Sequence, residues 1–151
     1  MIAFRNEPKR YFLTLAEIRS QAADYPRVTS ITGETFAVDQ NGLLMHGGPY
    51  RIREKPTPEM VDVCLRWLQR AEAGRIKTPT LNSYTLKHAV ERWSREYISN
   101  GSFLIAADQL GFRMVQDDRT WRATLNMDIG IGRRWYHQQP ESLYWRNGAK
   151  A

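Results

Sequence analysis

The spacing of hydrophobic residues along the chain alternates between helical and strand-like patterns. Near the start, Thr14 and Glu17 stand at the capping-box spacing, in which each side chain hydrogen-bonds to the backbone of the other. Pro26 follows and cannot continue a helix. The sequence therefore predicts a first helix that begins after Thr14. The residues on its apolar face are Leu15, Ile18 and Ala22.

Between residues 27 and 53, apolar residues occur in short runs that are separated by turn-forming sequences. The turns are Thr32-Gly33, Asn41-Gly42 and Gly47-Gly48-Pro49, and an Asn-Gly pair is typical of a tight hairpin. We therefore expect a small antiparallel β-meander here. Its predicted strands cover residues 28–31, 34–38, 43–45 and 50–52.

A second helix is predicted after the meander, with clear start and stop signals. Thr57 can cap it, and Pro58 occupies the first helical position, where a missing backbone N–H is tolerated. Gly74 would end it. The residues of its apolar stripe are Val61, Cys64, Leu65 and Leu68.

Two more helices are expected in the middle of the chain. The third spans residues 83–98 and would end at Asn100-Gly101. Ser102 would cap a short fourth helix, which Gly111 would end. Apolar residues recur at helical spacing in the third helix, namely Leu86, Ala89, Val90, Trp93 and Tyr97. The ion pairs expected on its opposite face are Glu91–Arg95 and Arg92–Glu96.

The last third of the chain is strand-like again. Residues 112–115 and 121–127 flank the turn sequence Asp117-Asp118, and residues 121–127 alternate strictly between apolar and polar side chains. The whole pattern predicts an α+β fold, in which a small antiparallel β-meander and a C-terminal β-hairpin pack with about four helices. We expect a single domain over residues 1–151, with an aromatic and arginine-rich tail at 130–151 that can extend from it.

The cysteine content and the positions of charged residues indicate the cellular compartment of the protein. Cys64 is the single cysteine, so an intramolecular disulfide cannot form, which fits a reducing compartment. Arg5, Lys9 and Arg10 precede any apolar run, so we expect no secretory signal. The longest charge-free stretch, residues 97–107, is shorter than the roughly 20 residues that a membrane-spanning helix needs. The sequence therefore predicts a cytoplasmic protein outside the membrane.

The net charge favours an anionic partner. The 22 basic residues outnumber the 16 acidic ones, which gives a net charge of +6 and a pI near 9.7. Arginine makes up 17 of those 22 residues, and its planar guanidinium suits bidentate contacts with phosphate. A polyanion such as nucleic acid is one partner for such a chain. Solubility alone is the competing explanation of the charge.

The predicted third and fourth helices, followed by a hairpin, match the layout of a winged DNA-binding unit. A recognition helix must present polar or basic side chains to base edges. Residues 103–110 offer only Asp108 and Gln109 for this purpose. We therefore expect the fourth helix to lie in the core and not in a DNA groove.

The C-terminal tail is the better candidate for contact with nucleic acid. Exposed aromatic rings can stack on unpaired bases while arginines hold phosphates. The alternative is that the aromatic residues anchor the tail to the core, and the high average burial of tryptophan favours this alternative. Basic residues on and after the second helix form a further candidate group. The complete candidate set for nucleic-acid or partner binding is Arg66, Arg70, Arg75, Lys77, Arg133, Arg134, Trp135 and Tyr136.

Catalytic and metal-binding patterns are weakly represented. The three histidines occur in different predicted elements, without ligands at zinc-motif spacing. Cys64 falls on an apolar stripe, where a thiol is normally inert. Tyr84, Lys87 and His88 lie within one turn of a helix start and form either a polar site or an ordinary helix terminus. We predict neither an enzyme nor a cofactor or metal site.

One segment of the chain resembles a group of known sequences. Residues 83–112 are similar to small uncharacterised proteins of proteobacterial phages and plasmids. The segments that carry this resemblance are Ser83-Tyr84-Thr85-Leu86-Lys87-His88, Tyr97-Ile98-Ser99-Asn100-Gly101-Ser102-Phe103, Ala106-Ala107 and Gly111-Phe112. The resemblance implies a protein encoded by a mobile element, and such proteins often act on nucleic acid or block a host defence complex.

Two functions follow as predictions. The first is a non-enzymatic binding protein of a phage or mobile element that contacts nucleic acid or a nucleoprotein complex. The second is an inhibitor of a bacterial defence system, of the anti-CRISPR or anti-restriction type, that acts through protein–protein contacts. The basic charge departs from the acidic surfaces of inhibitors that mimic DNA. The sequence leaves a homo-oligomer open.

Overall fold

The computed structural model describes residues 13–45, 51–77, 80–117 and 125–142 of the chain. These residues form an α+β fold, as the sequence predicts. The helices are α1 (Leu15–Gln21), α2 (Pro58–Leu68), α3 (Ser83–Ser94), α4 (Asn100–Gln109) and α5 (Arg133–His137). The strands are β1 (Arg27–Thr29), β2 (Thr35–Asp39), β3 (Gly42–Leu44), β4 (Met114–Gln116) and β5 (Met127–Ile129).

Strands β1, β2 and β3 form the predicted antiparallel meander, in that order. Asp39 closes its second hairpin, because its carboxylate accepts hydrogen bonds from the backbone N–H groups of Asn41 at 2.8 Å and Arg53 at 2.7 Å. The contact with Arg53 also explains why the prediction of a strand at residues 50–52 is wrong for residues 51 and 52. This segment is tied to a side chain at the end of β2 and does not form a strand ladder. Tyr50 lies outside the described residues.

Helix α4 lies at the centre of the domain, where it packs against α2, α3 and the meander. Its residues 100–107 are all buried. Ser99 caps it, so the prediction that Ser102 is the cap is wrong by three residues, and Asn100-Gly101 opens this helix instead of ending the previous one. A Cβ atom at Gly101 would overlap the backbone oxygen of Asp39, so this close approach of helix and hairpin requires glycine.

Two helices end earlier than predicted. Helix α2 ends at Leu68 and not at Gly74, because the N–H groups of Arg70 and Ala71 donate to the carbonyls three residues before them, at 3.1 Å and 2.9 Å. Gly74 lies beyond the helix, where its N–H donates to the carbonyl of Gly130 at 2.8 Å. Helix α3 ends at Ser94, because Arg95 adopts a left-handed conformation with φ of 62°. The predicted helical register therefore does not extend to Tyr97 and Ile98.

Strands β4 and β5 form a two-stranded antiparallel sheet, which confirms the predicted hairpin. The second strand is shifted along the chain, because β5 begins only at Met127 and ends at Ile129, so the predicted strand at 121–127 is wrong for Leu125 and Asn126. Residues 118–124 lie outside the described residues. Residues 130–142 pack against the domain, since Ile131, Tyr136 and Ser142 are buried. Residues 143–151 of the predicted tail lie outside the described residues. In the described ranges, helices fall short of the length and apolar character needed to cross a membrane.

Candidate functional site

Helix α3 places four chemically active side chains on one face. Counted from Tyr84, the other three side chains follow at three, four and seven positions, namely Lys87, His88 and Glu91. This is the spacing of neighbours along a helix surface. The helix begins firmly, because the side chain of Asn82 accepts a hydrogen bond from the N–H of Thr85 at 2.9 Å. The structure therefore brings together the three residues that the sequence singles out near this helix start.

Lys87 lies close to two tyrosine rings. Its Nζ atom is 5.2 Å from the ring centroid of Tyr84 and 5.0 Å from that of Tyr97, which follows the left-handed turn at Arg95. Lys87 is only 6% exposed, whereas Tyr84 is 51% exposed and Tyr97 is 63% exposed. The cation is thus enclosed, and the rings that cover it face solvent.

Glu91 holds this arrangement together. One of its carboxylate oxygens is 2.6 Å from Nδ1 of His88, and the other accepts a hydrogen bond from the N–H of Ile98 at 3.0 Å and lies 3.4 Å from Nζ of Lys87. Burial alone would raise the pKa of Glu91, but the Ile98 N–H, His88 and Lys87 together lower this pKa below its ordinary value. The carboxylate is therefore ionised at neutral pH and fixes the turn after α3 to the helix.

This group of side chains is called the tyrosine–lysine surface below. Its members are Tyr84, Lys87, His88, Glu91 and Tyr97. The ring of His88 packs edge-on against that of Tyr84, with 4.6 Å between centroids. The ring centroids of the two tyrosines lie at most 10.2 Å apart, because Nζ of Lys87 is 5.2 Å from one centroid and 5.0 Å from the other. Exposed aromatic rings of this kind can stack on planar ligands.

A cleft of about 500 Å³ lies beside the tyrosine–lysine surface. The C-terminal part of α3 forms one side of the cleft, and the segment after α5 forms the other side. The residues that line it are Glu91, Arg92, Trp93, Arg95, Pro140 and Glu141.

A second aromatic cluster shares Trp93 and Glu141 with the lining of the cleft. Arg70 is 5.1 Å from the ring centroid of Trp93 and 5.8 Å from that of Trp135. The buried carboxylate of Glu141 accepts hydrogen bonds from Nε1 of Trp67 at 2.7 Å and from Arg70 at 3.3 Å. These five residues, called the tryptophan–arginine clamp below, join α2, α3 and α5 to the segment that follows α5.

The clamp contains two of the residues that the sequence proposes for partner binding, Arg70 and Trp135. Trp135 packs edge-on against Trp67, with 5.4 Å between centroids. Tyr136 is 2% exposed, so its ring is not accessible to a ligand. Arg66 forms an exposed ion pair with Asp62 at 3.2 Å. The aromatic residues of α5 thus anchor the chain to the core.

The remaining predicted binding residues lie at the surface, on two segments that the backbone brings side by side, because the N–H of Gly74 donates to the carbonyl of Gly130 at 2.8 Å and the N–H of Gly132 to that of Glu72 at 2.6 Å. Arg75, Lys77 and Arg134 are exposed, and Arg133 is partly exposed. The described ranges hold 15 of the 22 basic residues and 14 of the 16 acidic residues, so their net charge is +1. The other +5 belongs to residues outside these ranges. The surface that the structure describes is therefore close to neutral overall.

Other candidate chemistry receives little support from the geometry. Cys64 is buried, and burial together with the nearby charge of Glu91 raises the pKa of its thiol to about 12. Within the described ranges, acidic, histidine and cysteine side chains do not cluster in a way that could hold a metal ion.

Sequence reasoning missed the roles of Glu91 and Tyr97. The sequence pattern pairs Glu91 with Arg95 and places Tyr97 on the apolar face of a longer helix. The prediction of ion pairs Glu91–Arg95 and Arg92–Glu96 is wrong, because α3 ends before Arg95. The spacing of Glu91 to Lys87 and His88 was the available signal, since residues three and four apart on a helix are neighbours.

Comparison of the chain with protein-family models, curated proteins and solved structures finds no match.

Proposed function

We propose that the protein binds single-stranded nucleic acid, either free or within a nucleoprotein complex, through the tyrosine–lysine surface. The observation that carries this proposal is the pair of solvent-facing rings of Tyr84 and Tyr97, whose centroids lie 5.2 Å and 5.0 Å from the enclosed Lys87 ammonium. Single-stranded nucleic acid offers unpaired bases that stack on aromatic rings, together with phosphates that favour nearby cations.

The enclosed lysine supports this proposal because it fixes the two rings before any ligand arrives. A cation over an aromatic ring contributes about 0.5–1 kcal/mol at an exposed site. Two such contacts restrain the rings of Tyr84 and Tyr97, so less conformational freedom is lost when a base stacks on them. Glu91 in turn fixes Lys87 and the turn that carries Tyr97.

The charge distribution sets the balance of forces in the proposed complex. Because the described ranges carry a net charge of only +1, the described residues supply only a weak long-range positive field at this surface. Stacking on the two rings must then supply most of the affinity. We therefore expect a shallow dependence of affinity on salt concentration, since few phosphate contacts release few counterions.

The test is the affinity for a short fluorescein-labelled oligothymidylate, measured by fluorescence anisotropy. Each stacked base contributes about 1–3 kcal/mol, so the Tyr84→Ala/Tyr97→Ala variant should bind about 30-fold more weakly or worse. The Tyr84→Phe/Tyr97→Phe variant keeps both rings and should bind like the wild type.

An exposed apolar residue elsewhere supplies the matched control. Ile31 is 58% exposed on the meander, so Ile31→Ala removes a comparable surface side chain and should leave the affinity unchanged. The proposal fails if the wild type does not bind the oligonucleotide. It also fails if the double alanine variant, shown by circular dichroism to be folded, binds as tightly as the wild type.

The second candidate function is an inhibitor of a bacterial defence system that acts by protein–protein contacts. The near-neutral described surface and the exposed side chains of Leu15 and Ile31 favour it. Such an inhibitor would co-purify with one defined host nucleoprotein complex and show little affinity for free nucleic acid. Origin from a phage or other mobile element remains a prediction from the resemblance of residues 83–112.

A further inference from the structure

The cleft beside the tyrosine–lysine surface contains two carboxylates whose charges are already matched. Glu141 turns its carboxylate inward, where Trp67 and Arg70 bind it. Glu91 directs its carboxylate to Lys87, His88 and the N–H of Ile98. Neither acidic group is therefore available to balance a further positive charge in the cleft.

Two arginines in the same cleft lack a carboxylate partner among the described residues. Arg92 is partly buried, its Nε donates to the backbone carbonyl of Glu141 at 2.6 Å, its side chain also hydrogen-bonds to Tyr136, and its Nη2 is enclosed without a hydrogen-bond partner. Arg95 is exposed and adopts a left-handed conformation that is unusual for a residue other than glycine. A partly buried cation without a carboxylate partner has an unfavourable free energy that a bound anion would reduce.

We propose that this cleft is a phosphate site, in which Arg95 contacts the phosphate directly and Arg92 adds positive potential from below. Because Nη2 of Arg92 is enclosed, we assign direct contact to Arg95. Trp93 and Pro140 give the cleft apolar walls against which a sugar can pack. This inference rests on the proposed function in one respect, namely that the phosphate belongs to a strand whose bases stack on Tyr84 and Tyr97.

The first test uses inorganic phosphate as the probe and thermal unfolding as the readout. A site that binds phosphate only in the folded state raises Tm in phosphate buffer relative to chloride buffer of the same ionic strength. Arg95→Asn should abolish this increase while preserving the turn, since asparagine tolerates the left-handed conformation. Arg19→Gln removes an exposed arginine on α1 and should retain the increase. An equal increase in Arg95→Asn, or none in the wild type, would overturn the phosphate site.

The second test uses the labelled oligothymidylate and separates this inference from the proposed function. A charge-assisted hydrogen bond contributes about 1.5–3 kcal/mol, so Arg95→Asn should weaken binding about 10- to 100-fold and reduce the salt slope by about 0.7. If Tyr84→Ala/Tyr97→Ala weakens binding but Arg95→Asn changes neither quantity, the cleft does not hold a strand phosphate and the proposed function stands. If phosphate binds but the oligonucleotide does not, the cleft is a site for free phosphate groups and the proposed function fails.

Discussion

The tryptophan–arginine clamp and the tyrosine–lysine surface both combine a basic side chain, aromatic rings and a glutamate. They differ in which of these groups is exposed to solvent. In each, a basic side chain lies about 5–6 Å from two aromatic rings and pairs with a glutamate. In the clamp, the cation is 36% exposed and the rings pack toward the core. In the tyrosine–lysine surface, the cation is enclosed and the rings face solvent.

The two clusters also differ in the parts of the chain that they join. The clamp connects Trp67 on α2 with Glu141, 74 residues later. The tyrosine–lysine surface is built within α3 and the turn that follows it, between Tyr84 and Tyr97. A long-range contact contributes to global stability, whereas a local group of exposed rings contributes little to it. The clamp is therefore suited to hold the fold, and the tyrosine–lysine surface is suited to meet a ligand.

The largest expected effect on stability comes from opening the clamp with Glu141→Ala. The substitution leaves the N–H of Trp67 buried without an acceptor, which costs about 1–3 kcal/mol. Chemical denaturation should show this loss in the free energy of unfolding. A wild-type stability for this variant would mean that the clamp does not hold the fold.

A smaller effect is expected at Glu91, and it should depend on pH. The folded state lowers the pKa of Glu91, so its ionised form stabilises the fold above the unfolded pKa of about 4.3, and this contribution is lost as the pH falls through the lower folded pKa. Glu91→Gln should therefore be less stable than the wild type at pH 7, with a difference that shrinks steadily below about pH 4. Denaturation curves across this range measure it. A difference that is independent of pH would contradict the assignment of an ionised carboxylate.

The parts of the fold that depend on local signals were predictable from the sequence. The capping box of Thr14 and Glu17, the start at Thr57 and the Asn41-Gly42 turn all occur as predicted. Signals set by distant contacts were not predictable. Gly74 does not end the helix but pairs with Gly130, which is 56 positions away in the sequence.

The candidate site was predictable only in part, for the same reason. Tyr84, Lys87 and His88 share a helix face, so their proximity follows from their spacing. Tyr97 reaches Lys87 only because Arg95 breaks the helix, and an arginine carries no sequence signal for a left-handed turn. The burial of Tyr136 likewise depends on tertiary packing, which an aromatic and arginine-rich composition does not specify.

Replacing the enclosed cation separates the two roles of the tyrosine–lysine surface. Lys87→Met keeps a long side chain beneath the rings but removes the charge. Glu91 retains His88 and the N–H of Ile98 as partners, so the free energy of unfolding should fall by no more than about 1–2 kcal/mol, the contribution of the two lost cation–π contacts. Loss of two cation–π contacts should loosen Tyr84 and Tyr97 and weaken oligothymidylate binding about 5- to 30-fold. Unchanged affinity would show that the lysine does not position the rings.

The smallest effect is expected from the arginines of α5. Arg134 is exposed and Arg133 is partly exposed, and both lie on α5, whereas Tyr84 and Tyr97 lie on α3 and in the turn that follows it. If the tyrosine–lysine surface binds the strand, Arg133→Ala/Arg134→Ala should weaken binding at low salt by no more than a few-fold and reduce the salt slope by less than about 1.4, the value for two direct phosphate contacts. A salt titration of the variant beside Arg95→Asn measures both slopes. If the α5 variant loses more affinity and more salt slope than Arg95→Asn, the strand binds nearer to α5 than to Arg95. Only direct phosphate contact changes the slope by that amount.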